Sequence, residues 1–145
     1  MTIFTHILLT TAGVQAFGLQ GGDIALAYGF GCALDVDHVL KLPLYLKKNG
    51  LKNEKFYHWR TSLQEPVSLL WIVPLSFFIR SIIPVIFFIP HLVLDYLVSY
   101  EKRPLFPFHA VTTKGFFPNV SDGLKEIITV IVLVCLNLIL FLMKR

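Results

Sequence analysis

Apolar residues fill most of this chain and form five runs that short polar, glycine-containing or proline-containing segments separate. The runs cover residues 3–18, 23–40, 66–79, 82–99 and 127–143. The last run is almost uninterrupted and, as a helix, is about long enough to cross a hydrocarbon core of ~30 Å. Residues 66–98 are too long for one straight span, so we expect two helices that turn at Arg80. The pattern predicts an all-α polytopic membrane bundle with about five transmembrane or membrane-embedded helices.

Composition supports a membrane protein with one domain. The sequence has 145 residues, of which 55% are hydrophobic, and its mean hydropathy of +0.69 exceeds that of a normal soluble globular chain. We therefore expect residues 1–145 to form a single membrane-embedded domain. The first twenty residues have no basic segment and contain His6 and Gln15, so we expect the amino terminus to be retained. Neither Cys32 nor Cys135 belongs to a CxxC pair, so the cysteines do not indicate a redox compartment.

The basic residues predict how the helices are oriented. Segments 41–60 and 101–126 carry ten Lys and Arg residues, and the five-helix arrangement places both segments on one side of the membrane. The other side carries three, namely Arg80, Lys144 and Arg145. By the positive-inside bias the ten face the cytoplasm, which predicts a multi-pass protein of the inner, or plasma, membrane. The net charge of +4 is modest and the basic residues lie in loops, so nucleic-acid binding is not indicated.

Four short polar clusters interrupt the apolar sequence. They are His6, Asp35-Val36-Asp37-His38, His58-Trp59-Arg60, and His91 with Asp95. Imidazoles and carboxylates are the usual ligands of zinc and similar cations, and they are costly inside a membrane unless they are used. In the five-helix arrangement all four clusters lie at the cytoplasmic ends of their helices. The sequence therefore predicts a metal site at the cytoplasmic face.

His91 and Asp95 form the clearest pair, because their i, i+4 spacing places both side chains on one helical face. They could share a cation, although Asp95 could instead orient His91, or the pair could join two helices by a buried hydrogen bond. Asp35, Asp37 and His38 converge only if the helix ends there. Acidic residues at the carboxyl end of a helix oppose its dipole, which favours a ligand role over a solvated terminus.

Other polar residues have more than one explanation. Arg60 could bind a phosphate or carboxylate, or it could set the topology or contact a lipid headgroup. Glu65 could act in the site, or its charge could complement the amino-terminal end of the helix that begins near Pro66. His6 taken alone is more often a structural or interfacial histidine. His109 lies in an aromatic loop, and we do not expect it to be a ligand.

With these residues in place, the chain resembles a bacterial and archaeal family of small inner-membrane metal-dependent hydrolases. The family's elements are an amino-terminal Thr-His, a Gly-rich helix that closes in Asp-x-Asp-His, a His-Arg segment, a His-x-x-x-Asp helix and a Pro-Phe loop. The chain shows them in this order, between residues 5 and 108, as Thr5-His6, Gly29 to Gly31 leading to Asp35-Val36-Asp37-His38, His58-Trp59-Arg60, His91-Leu92-Val93-Leu94-Asp95, and Leu105-Phe106-Pro107-Phe108. The ordered set is more specific than any single element.

One element of the family pattern is absent. Family members carry a Thr-His-Ser shortly after the His-Arg segment, whereas residues 61–65 read Thr-Ser-Leu-Gln-Glu and contain no histidine. Either Gln64 or Glu65 replaces that ligand, or the site holds fewer metals. The spread of His and Asp over several helices is also similar to that in the α-helical zinc phospholipase C and nuclease group, which implies cleavage of a phosphoester.

These observations together predict a hydrolase that binds one or more divalent cations, with zinc as the expected metal. The expected metal ligands are His6, Asp35, Asp37, His38, His58, His91 and Asp95. The cation would activate water for attack on an ester or phosphoester of a lipid-like or membrane-proximal substrate. Arg60 would steady the developing charge, and Asp37 or Glu65 would act as a general base if not bound to metal.

Two alternatives belong to other classes. A non-enzymatic membrane protein could use the same residues for a structural metal site or as a docking partner, and protein ligands would then fill every coordination position. An ion or proton conduit would need polar residues along the depth of the bundle, but the external halves of the predicted helices are almost wholly apolar.

Overall fold

The computed structural model describes residues 2–33, 65–98 and 119–144, together with the single positions 43, 47, 108 and 117. Within the three continuous segments the chain forms five α-helices and no strand. They are α1 (Ile3–Phe17), α2 (Gly22–Gly31), α3 (Leu69–Phe78), α4 (Ile83–Val98) and α5 (Asp122–Met143). A 3-10 turn, Pro66–Ser68, leads into α3. The prediction of an all-α chain is confirmed for these residues.

Residues at positive φ form the turns between neighbouring helices. Gly18, at φ 62°, follows α1, and the Leu19 amide donates to the Val14 carbonyl across the helix end (3.1 Å). Gly21, at φ 54°, precedes α2. α3 ends in the same way as α1, but its left-handed residue is Arg80, at φ 54°. Both predicted breaks, after α1 and at Arg80, are present.

α5 begins at Asp122, before the apolar run on which the prediction was based. The Ser121 hydroxyl accepts a hydrogen bond from the Leu124 amide (3.4 Å), which satisfies one of the open N–H groups at the helix start. The Asp122 charge complements the helix dipole in the first turn, and Lys125 Nζ pairs with its Oδ1 at 2.9 Å. This polar first turn extends the helix and makes Glu126 part of it.

Polar contacts join α5 to α1 inside one of the most extensive helix interfaces of the described residues. The Asn137 side-chain amide donates to the Leu8 carbonyl (2.9 Å) and to the Leu133 carbonyl (2.8 Å). Its side-chain oxygen accepts a hydrogen bond from Gln15 Nε2 (3.2 Å). Side-chain hydrogen bonds of this kind commonly hold membrane helices together. α5 is therefore attached to the bundle by specific contacts.

α4 is the central helix, because it contacts α1, α2, α3 and α5. Its Phe87 and Phe88 are buried in two apolar clusters, one with Ala27 of α2 and the other with Ile72 of α3. Gly13 of α1 allows Phe87 to approach closely, since a Cβ at Gly13 would lie 2.7 Å from Cε1 of Phe87. This packing fixes α4 relative to the helices around it.

One helix is suited by its length and composition to cross a membrane. α5 has 22 residues, and its most apolar segment of 18 residues has a mean hydropathy of 2.7, with only 6% of that segment buried in the protein. Among the described residues, the other apolar helices are shorter and cover Ile3–Phe17, Pro66–Phe78 and Ile83–Leu97. The fold thus supports one possible membrane span, and the multi-pass arrangement stays a prediction.

Candidate metal centre

Two helices bring three ligand-type side chains together in the interior. His6 lies near the start of α1, and His91 and Asp95 lie in the second half of α4. All three are buried, with exposed fractions of 0%, 0% and 2%. One ligand atom of each lies within 4.8 Å of the other two. In the parts of the chain that the structure describes, no other group of three His, Cys, Asp or Glu residues meets this condition.

The contacts within this group are close. His6 Nε2 lies 3.4 Å from Asp95 Oδ1. The His6 and His91 rings stack, with centroids 3.9 Å apart and planes inclined by 20°. The i, i+4 spacing places His91 and Asp95 on the face of α4 that meets α1. Three of the residues singled out from the sequence therefore lie in contact, although α1 and α4 are far apart along the chain.

A backbone carbonyl orients His91. Its Nδ1 lies 3.0 Å from the carbonyl oxygen of Gly31, the last residue of α2. A carbonyl oxygen only accepts hydrogen bonds, so Nδ1 carries a proton and, in the neutral ring, Nε2 carries the lone pair. Metal-binding histidines are commonly held by such a hydrogen bond from the second ring nitrogen. The contact leaves Nε2 as the ligand atom of His91.

Gly31 lets the end of α2 approach α1 more closely than any residue with a side chain could. A Cβ at position 31 would lie 2.2 Å from Oγ1 of Thr10, which is far inside van der Waals contact. Thr10 is buried on α1, and its Oγ1 accepts a hydrogen bond from the Cys32 thiol (3.2 Å). The close approach of α2 to α1 at this point therefore places the Gly31 carbonyl beside His91.

A cluster that the sequence analysis missed fixes the first turn of α1. Glu126 of α5 accepts hydrogen bonds from the Thr2 amide (2.9 Å), the Thr2 hydroxyl and the Thr5 hydroxyl (3.1 Å). Its carboxylate satisfies open donors at the amino-terminal end of α1 and complements the helix dipole there. Since Thr5 precedes His6, Glu126 helps to hold the turn that carries His6. The helix-start signal at Ser121-Asp122 could have revealed that Glu126 is helical.

Among the described residues, buried apolar side chains of α4 lie close to His91 in the chain or in space. The Phe88 ring is fully buried and lies nearly parallel to the His91 ring, with centroids 6.2 Å apart. Leu92 and Leu94 of α4 are also buried. Polar side chains are costly in such surroundings unless they hydrogen-bond, pair or bind a metal ion. The same low polarity strengthens the electrostatic interactions within the group.

The donor set and its spacing could hold a metal ion. Two imidazoles and one carboxylate are a ligand set of catalytic zinc sites, in which water or substrate takes the fourth position. Neighbouring ligand atoms in a tetrahedral zinc site lie about 3.4 Å apart, which matches the 3.4 Å between His6 and Asp95. Two imidazoles on one such ion would have centroids about 5 Å apart, so the stacked rings of His6 and His91 must separate by about 1 Å when an ion binds.

Glu65, a candidate general base, is buried at the start of the 3-10 turn. Its Oε2 accepts a hydrogen bond from the Tyr96 hydroxyl (3.2 Å). Tyr96 follows Asp95 directly, so Glu65 lies at the end of α4 that carries the candidate ligands. The contact joins the start of α3 to α4, and a chemical role for Glu65 stays a prediction.

The remaining candidates lie outside the described residues, and their roles stay predictions. They are the ligand candidates Asp35, Asp37, His38 and His58, together with Arg60. His109, which was not expected to be a ligand, also lies outside the described residues.

Comparison with known proteins returns no relative. No family model, no curated protein and no solved structure matches the chain. The resemblance to inner-membrane metal-dependent hydrolases therefore rests on the sequence motifs alone.

Proposed function

We propose that this protein is a membrane-bound metal-dependent hydrolase. The observation that carries the proposal is the buried group of His6, His91 and Asp95, whose ligand atoms lie within 4.8 Å of one another. Zinc is the proposed ion, because two imidazoles and a carboxylate suit it. A bound divalent cation would lower the pKa of a water molecule and polarise an ester or phosphoester.

The contacts around this group support a site prepared for such chemistry. The Gly31 carbonyl holds His91 in the tautomer whose Nε2 can bind an ion, and Glu126 holds the first turn of α1 in place. The buried Phe88 ring beside His91 excludes water from that side, which strengthens the electrostatic interactions inside the site.

The other residues of the proposed site come from the sequence. Asp35, His38 and His58 would complete the ligand set, for one ion or for more than one. Asp37 or Glu65 would act as the general base if not bound to metal, and Arg60 would steady the charge that develops on the substrate. Of these residues, Glu65 lies in the described part of the chain, at the same end of α4 as Asp95.

A multi-pass position in the inner membrane is part of the proposal, as is membership of the hydrolase family that the chain resembles. The length and hydropathy of α5 support a membrane location, and the excess of basic residues in segments 41–60 and 101–126 supports a site on the cytoplasmic face. Membrane lipids would then be the neighbours of the site. A lipid-like or membrane-proximal ester or phosphoester is accordingly the proposed substrate.

Metal content and hydrolysis, measured on one set of variants, test the proposal. The wild-type protein, His91→Ala and His109→Ala are purified in detergent, and zinc is measured by elemental analysis. We expect His91→Ala to lose metal and hydrolysis of a broad ester and phosphoester panel, and His109→Ala to keep both nearly intact. Losing one ligand removes a strong bond and can lower stability, so folding is followed by circular dichroism. His91→Gln, which keeps a polar side chain, serves where the alanine variant does not fold.

A structural metal site is the second candidate function. The stacked rings of His6 and His91 favour it, because they join α1 to α4 directly, and an ion there would stabilise that packing. Zinc in the wild-type protein with four protein ligands, together with no hydrolysis across the panel, would support the structural role. X-ray absorption at the zinc edge measures the ligand set. Wild-type protein that binds no divalent cation would contradict both candidates.

A further inference from the structure

A cavity lies at the turn between α3 and α4. Its volume is about 460 Å³, and small-molecule sites typically occupy roughly 300–1,000 Å³. Val73, Phe77, Ile82 and Val85 form its apolar walls. Among the described residues that line it, Arg80 alone is charged. The cavity combines a large apolar surface with one cation.

Arg80 occupies a backbone position that glycine usually takes. Its φ of 54° is left-handed, and it ends α3 in a characteristic pattern of hydrogen bonds. The Arg80 amide donates to the Phe77 carbonyl (3.2 Å), and the Ser81 amide donates to the Ser76 carbonyl (3.0 Å). Arg80 forms no ion pair with any residue that the structure describes. An exposed cation is therefore held at the edge of the cavity without a described counter-ion.

Ser76 adds a polar group to the wall of the cavity. The residue is 7% exposed, and its hydroxyl has no hydrogen-bond partner among the described residues. Buried hydroxyls nearly always have a partner, so this one needs an explanation. A ligand oxygen inside the cavity would accept its hydrogen bond.

The side chains next to Arg80 indicate a membrane ligand. Phe77 and Phe78 are 80% and 86% exposed. Large exposed apolar side chains beside an arginine at a helix end are typical of a membrane surface, where the charged group reaches the headgroups. The molecules present at a membrane surface are lipids, which combine an apolar chain with a polar head.

We propose that this cavity binds a lipid with an acyl chain and an anionic head. The acyl chain packs against the apolar walls, and the phosphate or carboxylate of the head binds Arg80. The Ser76 hydroxyl donates a hydrogen bond to an oxygen at the start of the chain. An inorganic anion alone would leave the apolar walls uncovered, and a zwitterionic head would place its own cation near Arg80.

The cavity is separate from the candidate metal centre. Val85, the cavity-lining residue on α4, and His91 are six residues apart along this helix, which corresponds to roughly 9 Å at the rise of an α-helix. The lipid is therefore not proposed as the substrate of the metal centre, and the two proposals can fail independently. Protein treated with a metal chelator is expected to bind the lipid as untreated protein does.

Three substitutions address the cavity, and a fourth is a control. Arg80→Gly removes the cation and places the residue best suited to a left-handed φ at that position, so it is expected to fold at least as well as wild type. Val73→Phe fills part of the cavity, and Ser76→Ala removes the hydroxyl. Lys144→Gln removes one exposed cation at the end of α5, which does not line the cavity.

Native mass spectrometry of the detergent-solubilised protein provides the measurement. The protein is mixed with equal amounts of phosphatidylglycerol and phosphatidylcholine that carry the same acyl chains. We expect wild type and Lys144→Gln to retain one phosphatidylglycerol in preference to phosphatidylcholine. The preference falls by about tenfold or more in Arg80→Gly, as the loss of a charge-assisted contact implies. Val73→Phe reduces retention of both lipids, and Ser76→Ala has a smaller effect in the same direction.

Competition identifies the source of the anionic head. If palmitate displaces phosphatidylglycerol, the cavity binds a fatty acid. If phosphatidylglycerol is retained in the presence of palmitate, the cavity binds a phospholipid. The proposal is overturned if Arg80→Gly keeps the wild-type preference. It is also overturned if inorganic phosphate alone displaces the lipid, because the acyl chain would then contribute nothing.

Discussion

The carbonyl of Gly31 decides which nitrogen of His91 can bind an ion. The i, i+4 spacing predicted that His91 and Asp95 share a face, and the pattern of helix ends predicted that His6 approaches them. The carbonyl contact was not predictable, because every residue has a carbonyl. Which carbonyl reaches His91 depends on how closely α2 approaches α1 at Thr10, and that distance has no signature in the sequence.

Replacing Gly31 tests this contact. A Cβ at position 31 would lie 2.2 Å from Oγ1 of Thr10, so Gly31→Ala must push α2 away from α1. We expect a loss of about 1–3 kcal/mol in the free energy of unfolding, as for overpacking in a core. Because the carbonyl moves away from His91, zinc affinity should fall about 10–100-fold, the usual effect of losing a group that orients a metal ligand. Thermal unfolding and zinc titration in detergent measure the two effects.

Gly29→Ala is the matched control on the same helix. A Cβ at Gly29 would have no heavy atom of the described residues within 4 Å, so the substitution meets open space there. Alanine favours the helix by up to about 1 kcal/mol over glycine, and we expect unchanged zinc affinity with equal or higher stability. If Gly31→Ala and Gly29→Ala behaved alike, the role assigned to the Gly31 carbonyl would be wrong.

The apolar runs predicted which helices exist, and their order, better than they predicted the residues at which each helix begins and ends. α1, α3 and α4 end within a few residues of the predicted limits, because glycines or polar pairs punctuate the sequence there. α5 starts earlier than predicted, because its first turn is polar and a hydropathy pattern does not register polar helical residues. Capping residues at Ser121-Asp122 carried that information. The missed turn contains Glu126, which is why its contact with α1 was also missed.

The contact between α5 and α1 gives a prediction at this scale. Glu126→Ala removes an acceptor that receives hydrogen bonds from Thr2 and Thr5, and the first turn of α1 should loosen. We expect stability to fall by about 0.5–2 kcal/mol, the range for loss of a helix cap. Hydrogen exchange in residues 3–6 should become faster, and zinc affinity should fall because His6 lies in that turn.

Glu126→Gln separates the hydrogen bonds from the charge. Its side-chain oxygen still accepts from Thr2 and Thr5, so most of the stability and zinc affinity should return. If hydrogen exchange in residues 3–6 of Glu126→Ala were as slow as in the wild-type protein, the carboxylate would not be what holds α1. Such a result would leave the position of His6 to its packing against α4.

For the whole molecule, the order of helices was predictable because each apolar run must form its backbone hydrogen bonds within itself if it lies in a membrane. The number of membrane crossings was not decided by the fold, since α5 alone among the described helices has the length of a full span. α1, α3 and α4 are shorter, and prolines at positions 74 and 90 lie inside α3 and α4. The number of crossings therefore stays a prediction.

Cysteine labelling distinguishes these topologies. With five crossings, residues 41–60 face the cytoplasm, and Arg80 and Lys144 face the outside. With α5 as the only crossing, residues 48 and 80 would lie on the same side. Single cysteines are therefore placed at Lys48 and Arg80 after the native Cys32 and Cys135 have been replaced, and intact cells are treated with a maleimide that does not cross membranes.

We expect the cysteine at position 80 to react in intact cells and the cysteine at position 48 to react only after the cells are permeabilised. Each variant must retain the zinc content of the wild-type protein, so that labelling reports the folded protein. Reaction of position 48 in intact cells would overturn the cytoplasmic orientation. Equal reactivity of both positions before and after permeabilisation would overturn the five-crossing arrangement, because an even number of crossings, zero included, would then separate them. In that case the three buried ligand candidates would remain, but their assignment to the cytoplasmic face of a membrane would not.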